Sequence, residues 1–144
     1  MKAMIFAAGL GTRLRPLTND IPKALVPYKG KPLLQLTIEN ISSYGFDEII
    51  VNIHHFAPKV VDFLERNDFF GKNIIISDEA ELLRDTGGGL FYAKDYFKNE
   101  PFFSHNVDIL GSFNLKKLYD NHRKNNSITT LAVQNRESSR RLLF

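Results

Sequence analysis

Apolar positions along the chain alternate between two rhythms. Short apolar runs fall at Lys2–Ala7, Glu48–Ile53, Asn73–Ser77, Pro101–Asn106 and Ile128–Val133, the length of a buried strand. Between them the apolar residues recur at helical spacing. Leu34, Ile38 and Ile41 follow Pro32 and stop at Gly45; Val60, Phe63 and Leu64 follow Pro58. Leu90, Tyr92, Ala93 and Phe97 follow Thr86-Gly-Gly-Gly89, and Leu115, Leu118, Tyr119 and His122 mark a fourth helix. Repeated strand–helix–strand units predict an α/β, doubly wound, mostly parallel sheet with helices on both faces. With no linker, repeat or low-complexity tract, residues 1–144 read as one domain. A long loop, Ala8–Lys31, separates the first strand from the first helix.

Composition narrows the function classes. The chain is 43% hydrophobic and 24% charged, the balance of a globular domain with a buried core. Its net charge of +3 is too small an excess to argue for nucleic acid or an anionic membrane as partner. There are no cysteines, so disulfides, thiolate metal sites and cysteine nucleophiles are excluded. No stretch approaches the roughly 18 apolar residues of a membrane span. Met1–Ala8 runs straight into a glycine-rich loop and reads as a first buried strand rather than a secretion signal, which makes the cytoplasm the expected compartment. The terminal Leu142-Leu-Phe144 is an apolar triplet that expects something to pack against, either a missing C-terminal segment or another copy of the chain. The alternative is a strand that docks back on its own domain.

The first strand delivers the chain into Ala8-Gly-Leu-Gly-Thr-Arg-Leu-Arg15. Open parallel sheets bind ligands at the carboxyl ends of their strands. Glycines there let backbone N–H groups approach phosphate oxygens. Arg13 adds a planar, permanently charged fork. This is neither a dinucleotide fingerprint nor a P-loop: Leu14 stands where a third glycine is needed, and Gly11 is followed by Thr-Arg rather than Lys. Ten residues after Arg13, Pro22-Lys-Ala-Leu-Val-Pro27 sets Lys23 between two prolines, presenting one ammonium from a constrained backbone.

Gly9-Leu-Gly-Thr-Arg-Leu-Arg-Pro-Leu-Thr18 followed by Pro22-Lys-Ala-Leu-Val-Pro27 resembles the signature of the sugar-1-phosphate nucleotidyltransferases, or NDP-sugar pyrophosphorylases. The resemblance implies a Rossmann-like nucleotidyltransferase fold. It implies that Ala8, Gly9, Gly11, Thr12 and Arg13 wrap the phosphates of an NTP, with Arg13 on the outer ones. Lys23 would then lie near the reacting phosphate, so that Arg13 and Lys23 serve catalysis.

Three consecutive glycines at a helix start cost stability relative to alanine. Read on their own, Gly87-Gly-Gly89 indicate either tight helix–sheet packing or contact with a flat ligand. The family places this element against base and ribose, which carries over to Thr86, Gly87 and Gly88, with Glu79 or Glu81 as pocket wall. Asp108, in Asn106-Val-Asp108 just after the fourth strand, is a single acid suited to Mg²⁺, which needs few carboxylates beside phosphate oxygens. The corresponding family aspartate is a metal ligand. His54 and His55 point to opposite faces and make a poor metal pair. His105 reads as a satisfied interior histidine, and Arg136, Arg140 and Arg141 as a solvated face.

The reaction implied is in-line attack of a sugar 1-phosphate on an NTP, giving NDP-sugar and pyrophosphate, with no protein nucleophile. Asp85-Thr-Gly-Gly-Gly89 and Ser138–Phe144 look closest to a short branch that holds mannose-1-phosphate guanylyltransferases and N-acetylmuramate-1-phosphate uridylyltransferases, which points to UTP or GTP. The resemblance covers only the first part of the family's catalytic domain. The later part supplies most sugar contacts and a second metal-binding aspartate, and has no counterpart here. The isolated chain is therefore expected to be weak or inactive. The rival readings are a non-catalytic nucleotide-binding module, another nucleotidyl transfer such as cytidylyl transfer to phosphocholine, and an interaction domain without a ligand.

Overall fold

The computed structural model describes residues 1–79 and 84–135, which divide into two units, one up to Phe113 and one from Asn114 onward. In the first unit, four strands form a parallel sheet: β1 (Lys2–Phe6), β4 (Glu48–Ile53), β5 (Asn73–Asp78) and β6 (Phe102–Asn106), in the spatial order β5-β4-β1-β6. A two-residue hairpin, β2 (Pro27–Tyr28) with β3 (Lys31–Pro32), folds inside what the sequence predicts as plain loop. The helices are α1 (Leu33–Ser43), α2 (Ala57–Arg66), α3 (Asp85–Tyr92) and α4 (Lys94–Phe97). Gly45, with φ of +84°, ends the α1 segment as anticipated. The third predicted helix is broken at Ala93 into α3 and α4.

The strand order decides where helices lie. Crossovers between parallel strands are right-handed. From β1 through α1 to β4, and through α2 to β5, the chain steps in one direction. It then returns through α3 and α4 to β6 on the far side of β1, which puts those helices on the opposite face. Register fits this division. Met4 is paired with Ile50 and Phe6 with Asn52, so these four share a face. There Met4 and Ile50 pack with Ala93 and Phe97 of the α3–α4 segment, beside Phe6, Ile75, Leu90 and Phe102. On the other face Phe103 meets the ring of Phe46, centroids 5.4 Å apart. Each buried large apolar side chain contributes about 1.5–3 kcal/mol.

The chain reverses its stepping direction between β1 and β6. At such a switch point the loops leaving the two carboxyl ends diverge and open a crevice. These loops are Ala7–Arg13 and Val107–Leu110.

In the second unit, α5 (Leu115–Asn125) is capped by Asn114, whose side chain accepts from the Lys117 N–H at 2.8 Å. His122 Nδ1 lies 3.0 Å from Thr130 Oγ1. The predicted fifth strand does not form: Ile128–Val133 has no ladder partner among the described residues, and Ile128 is fully exposed. β-branched residues there signal a surface fitted to a sheet, but a strand exists only where a neighbour supplies the hydrogen bonds. Glu81, Arg136, Arg140, Arg141 and the Leu142–Phe144 triplet lie outside the described residues.

Candidate nucleotide-binding site

A cavity of about 830 Å³ opens at the switch point, within the roughly 300–1,000 Å³ usual for small-molecule sites. One wall is the loop after β1. Gly11 has φ of +66° and starts a one-turn 3-10 helix, Thr12–Leu14, with the Leu14 N–H donating to its carbonyl at 2.8 Å. The buried Thr18 donates its hydroxyl to the same carbonyl at 2.8 Å. A Cβ on Gly11 would stand 2.9 Å from Thr18 Cγ2 and 3.0 Å from Lys23 Cβ. Glycine is thus required both by the backbone sign and by the close return of the chain.

Lys23 is held as its flanking prolines suggest. It begins a second 3-10 turn, Lys23–Leu25, after extended Pro22, and Ala24 beside it is fully buried. Its ammonium reaches across the crevice to Asp108, with Nζ 2.8 Å from Oδ2. Nζ also lies 3.9 Å from where a Cβ of Gly9 would be.

Asp108 is positioned by its neighbour. Val107 is fully buried; its N–H donates to the Phe6 carbonyl at 3.1 Å, and its carbonyl accepts from Thr37 Oγ1 of α1 at 3.1 Å. A bulky residue between Asn106 and Asp108 therefore anchors the turn. Burial pushes the Asp108 carboxyl up, but hydrogen bonding and charge from Lys23 outweigh it, with Arg13 adding to them, and the pKa falls below its ordinary value. Asp108 is an ionised acceptor at neutral pH.

Of the predicted residues, Ala8, Gly9, Gly11, Thr12, Arg13, Lys23, Thr86 and Asp108 all line the cavity. Glu79, Gly87 and Gly88 do not. Glu79 is 2% exposed and stands behind Asn52, which does line the cavity. Asn52 Oδ1 accepts from the Ala7 N–H at 2.8 Å, and its Nδ2 donates to Glu79 Oε1 at 3.0 Å. Glu79 Oε2 accepts from the Arg84 N–H at 3.2 Å, at the head of α3. His54 Nδ1 lies 2.6 Å from the Glu79 carbonyl, so this ring is engaged in the loop, whereas His55 lies against Phe56.

The three glycines divide. Nothing lies within 4 Å of a Cβ on Gly87, and one on Gly88 would meet Arg84 Cβ at 2.9 Å. One on Gly89 would stand 2.5 Å from Glu79 Oε1. Gly89 is therefore a packing glycine, while Gly87 has open space. Asn52 escaped notice in the sequence; its signal is a lone amide inside the apolar run Glu48–Ile53. His105 is buried, but its Nδ1 has no partner among the described residues, so it is less fully satisfied than expected.

Residues 2–141 match the sequence pattern of a family described as nucleotidyl transferase. The chain belongs to this family. It is 42% identical over 110 residues to N-acetylmuramate alpha-1-phosphate uridylyltransferase of Caulobacter vibrioides, covering 75% of this chain and 46% of that protein. It is 36% identical over 139 residues to mannose-1-phosphate guanylyltransferase 1 of Arabidopsis thaliana, covering 92% of this chain and 38% of that one. Its fold matches the crystal structure of HddC from Yersinia pseudotuberculosis complexed with GMP-PN, with a TM-score of 0.75 and 28% identity over 84% of this chain and 53% of that one. The chain spans less than half the length of these two curated relatives. No helix among the described residues is long and apolar enough to cross a membrane.

Proposed function

We propose that the crevice between β1 and β6 binds a nucleoside triphosphate, and that the whole protein transfers its nucleotidyl group to a sugar 1-phosphate. The observation that carries this reading is the Lys23–Asp108 pair, set against the glycine loop in the cavity that Arg13 also lines. A sugar-phosphate oxygen attacks the α-phosphorus, the bond from that phosphorus to the bridging oxygen breaks, and pyrophosphate leaves with the electron pair. Gly9, Gly11 and Thr12, with Ala8, offer backbone N–H groups along the phosphate path, and Arg13 neutralises the outer phosphates. Lys23 carries its charge near the α-phosphate. Asp85, Thr86 and Asn52 face the nucleoside end, with Gly87 leaving room beside them.

Asp108 suits Mg²⁺. No three acidic or histidine side chains converge on a cation site among the described residues, but an ion shared with phosphate oxygens needs only one or two carboxylates. Asp108 is ionised, faces the cavity and is paired there with Lys23. Bound there, Mg²⁺ would supply further charge neutralisation at the phosphate oxygens. The expected substrates are UTP or GTP with a sugar 1-phosphate, in the cytoplasm where NTPs are supplied.

The test is isothermal titration of the 144-residue chain with UTP, GTP, CTP and dTTP, each with and without Mg²⁺. Micromolar binding of UTP or GTP, strengthened by Mg²⁺, is the expected result, with poor pyrophosphate release from this chain alone. Failure to bind any of them removes the nucleotide reading of the crevice. Binding without turnover in a full-length protein selects a non-catalytic module.

A further inference from the structure

We propose that Asn52 and Glu79 form a clamp of fixed hydrogen-bond polarity that sets the span between the phosphate loop and the head of α3, and so the fit of the nucleoside end of the ligand. The proposal rests on the nucleotide reading above. Four elements meet in this cluster: the end of β1 through the Ala7 N–H, the end of β4 through Asn52, the residue after β5 through Glu79, and the start of α3 through the Arg84 N–H. Glu79 is fixed from its own backbone as well, its N–H donating to the Ile53 carbonyl at 2.8 Å.

The direction of every bond is determined. A backbone N–H only donates, so Ala7 forces Asn52 to present Oδ1 to it and Nδ2 to Glu79. Glu79 then faces two donors, Asn52 Nδ2 and the Arg84 N–H, and must accept with both oxygens. Only a carboxylate has that capacity. A glutamine side chain in place of Glu79 would turn an NH₂ onto one of these donors and leave it without a partner. The clamp is also tight, since a Cβ at Gly89 would be 2.5 Å from Glu79 Oε1 and 3.0 Å from Asn52 Nδ2. Its two outputs reach different parts of the cavity. Ala7 leads into Ala8 and Gly9 on the phosphate side, and Arg84 leads into Asp85 and Thr86 on the other. Loss of the Glu79 half leaves the Ala7–Asn52 bond in place and frees only the α3 side. Neither residue touches the phosphates in this scheme; they are positioning residues.

A polarity swap tests this directly. Asn52→Asp combined with Glu79→Gln restores all three bonds, with the central one reversed and the two backbone N–H groups still donating. The new carboxylate on β4 accepts from the Ala7 N–H and from the new amide after β5, and the carbonyl oxygen of that amide accepts from the Arg84 N–H. Wild type, both single variants and the double variant of the 144-residue chain are titrated with UTP, GTP and inorganic pyrophosphate, and their ¹⁵N–¹H spectra recorded. Glu79→Gln is expected to weaken the preferred nucleotide roughly tenfold, the worth of one mispaired buried hydrogen bond, with pyrophosphate affinity nearly unchanged. The Asp85 and Thr86 amides should shift while those of Gly9–Thr12 stay, and the double variant should recover both affinity and shifts. Equal loss for nucleotide and pyrophosphate would show a merely structural role and overturn the clamp. So would a double variant no better than the singles. If Glu79→Gln does not fold, a folded, binding double variant upholds the proposal and an unfolded one overturns it. If wild type binds no nucleotide, the reading of the crevice fails separately, while the amide shifts still judge the clamp.

Discussion

Gly89→Ala should destabilise the chain although alanine is the better helix former, and Gly87→Ala, two residues earlier in the same helix, should not. In a helix interior the exchange of glycine for alanine alone stabilises by up to about 1 kcal/mol. At Gly89 that gain meets an obstacle. Its Cβ would sit 2.5 Å from Glu79 Oε1, a distance that real Cβ atoms essentially never show. Glu79 would have to retreat by about half an ångström, yet it is tied on both sides, to Asn52 and to the Arg84 N–H. Breaking the bond to Asn52 leaves a buried donor unpaired, at about 1–3 kcal/mol, whereas the Arg84 N–H is only part-buried and costs less to free. Setting this loss against the propensity gain of up to about 1 kcal/mol, Gly89→Ala is expected to cost up to about 2 kcal/mol. At Gly87 nothing lies within 4 Å of the added methyl, so the intrinsic gain, up to about 1 kcal/mol, should appear. Urea unfolding followed by far-UV circular dichroism suits a chain without tryptophan, and an unchanged slope would assign the midpoint shift to stability. Equal midpoint shifts in the two variants would refute the reasoning, for Glu79 would then not be held where its two hydrogen bonds place it.

Two further expectations use the same geometry. Gly11→Ala meets both a left-handed backbone, costing about 1–2 kcal/mol for a residue with Cβ, and Thr18 Cγ2 at 2.9 Å; it should lower the unfolding midpoint and, by displacing Lys23, weaken nucleotide binding in the titration. His105 gives a pH dependence. Burial lowers its pKa from the ordinary 6.5, opposed by the Asn106 backbone and Asp108. Below pH 6.5 the unfolded chain therefore takes up a proton that the folded chain resists, so the stability His105 contributes is full above 6.5 and is lost as pH falls through its folded value. His105→Gln should flatten the stability-against-pH curve just below 6.5, and a curve identical to wild type would show that another group sets the slope.

Legibility in the sequence followed the range of the interaction. The strands of the sheet and the helices between them are written locally: the central strands, buried on both faces, as continuous apolar runs, and the helices as apolar residues at every third and fourth position. The glycine loop, Lys23 and Asp108 are legible for a different reason: each is costly or unusual where it stands, the glycine loop and Asp108 at a strand's carboxyl end and Lys23 in a proline-bounded turn. The hairpin at Pro27–Pro32 is too short to show a period. The run Ile128–Val133 has the composition of a strand, but pairing depends on a neighbour that composition does not report.

The Asn52–Glu79–Gly89 cluster marks the limit most clearly. Its members are widely separated in sequence, and each has a plausible local explanation: an amide in a strand, an acid after one, a glycine in a helix. What joins them is a donor–acceptor count in space. Once Ala7 fixes the amide, the carboxylate at position 79 is required, and once that carboxylate is placed, no Cβ is tolerated at position 89. The triple glycine that reads as one motif is therefore three positions under different constraints. Gly89 answers to the clamp, Gly88 to the Arg84 side chain, and Gly87 to open space beside the cavity-lining Thr86. A ligand requirement, if it acts on the glycines themselves, falls on Gly87, and a bulky residue there should spare stability while reducing nucleotide affinity.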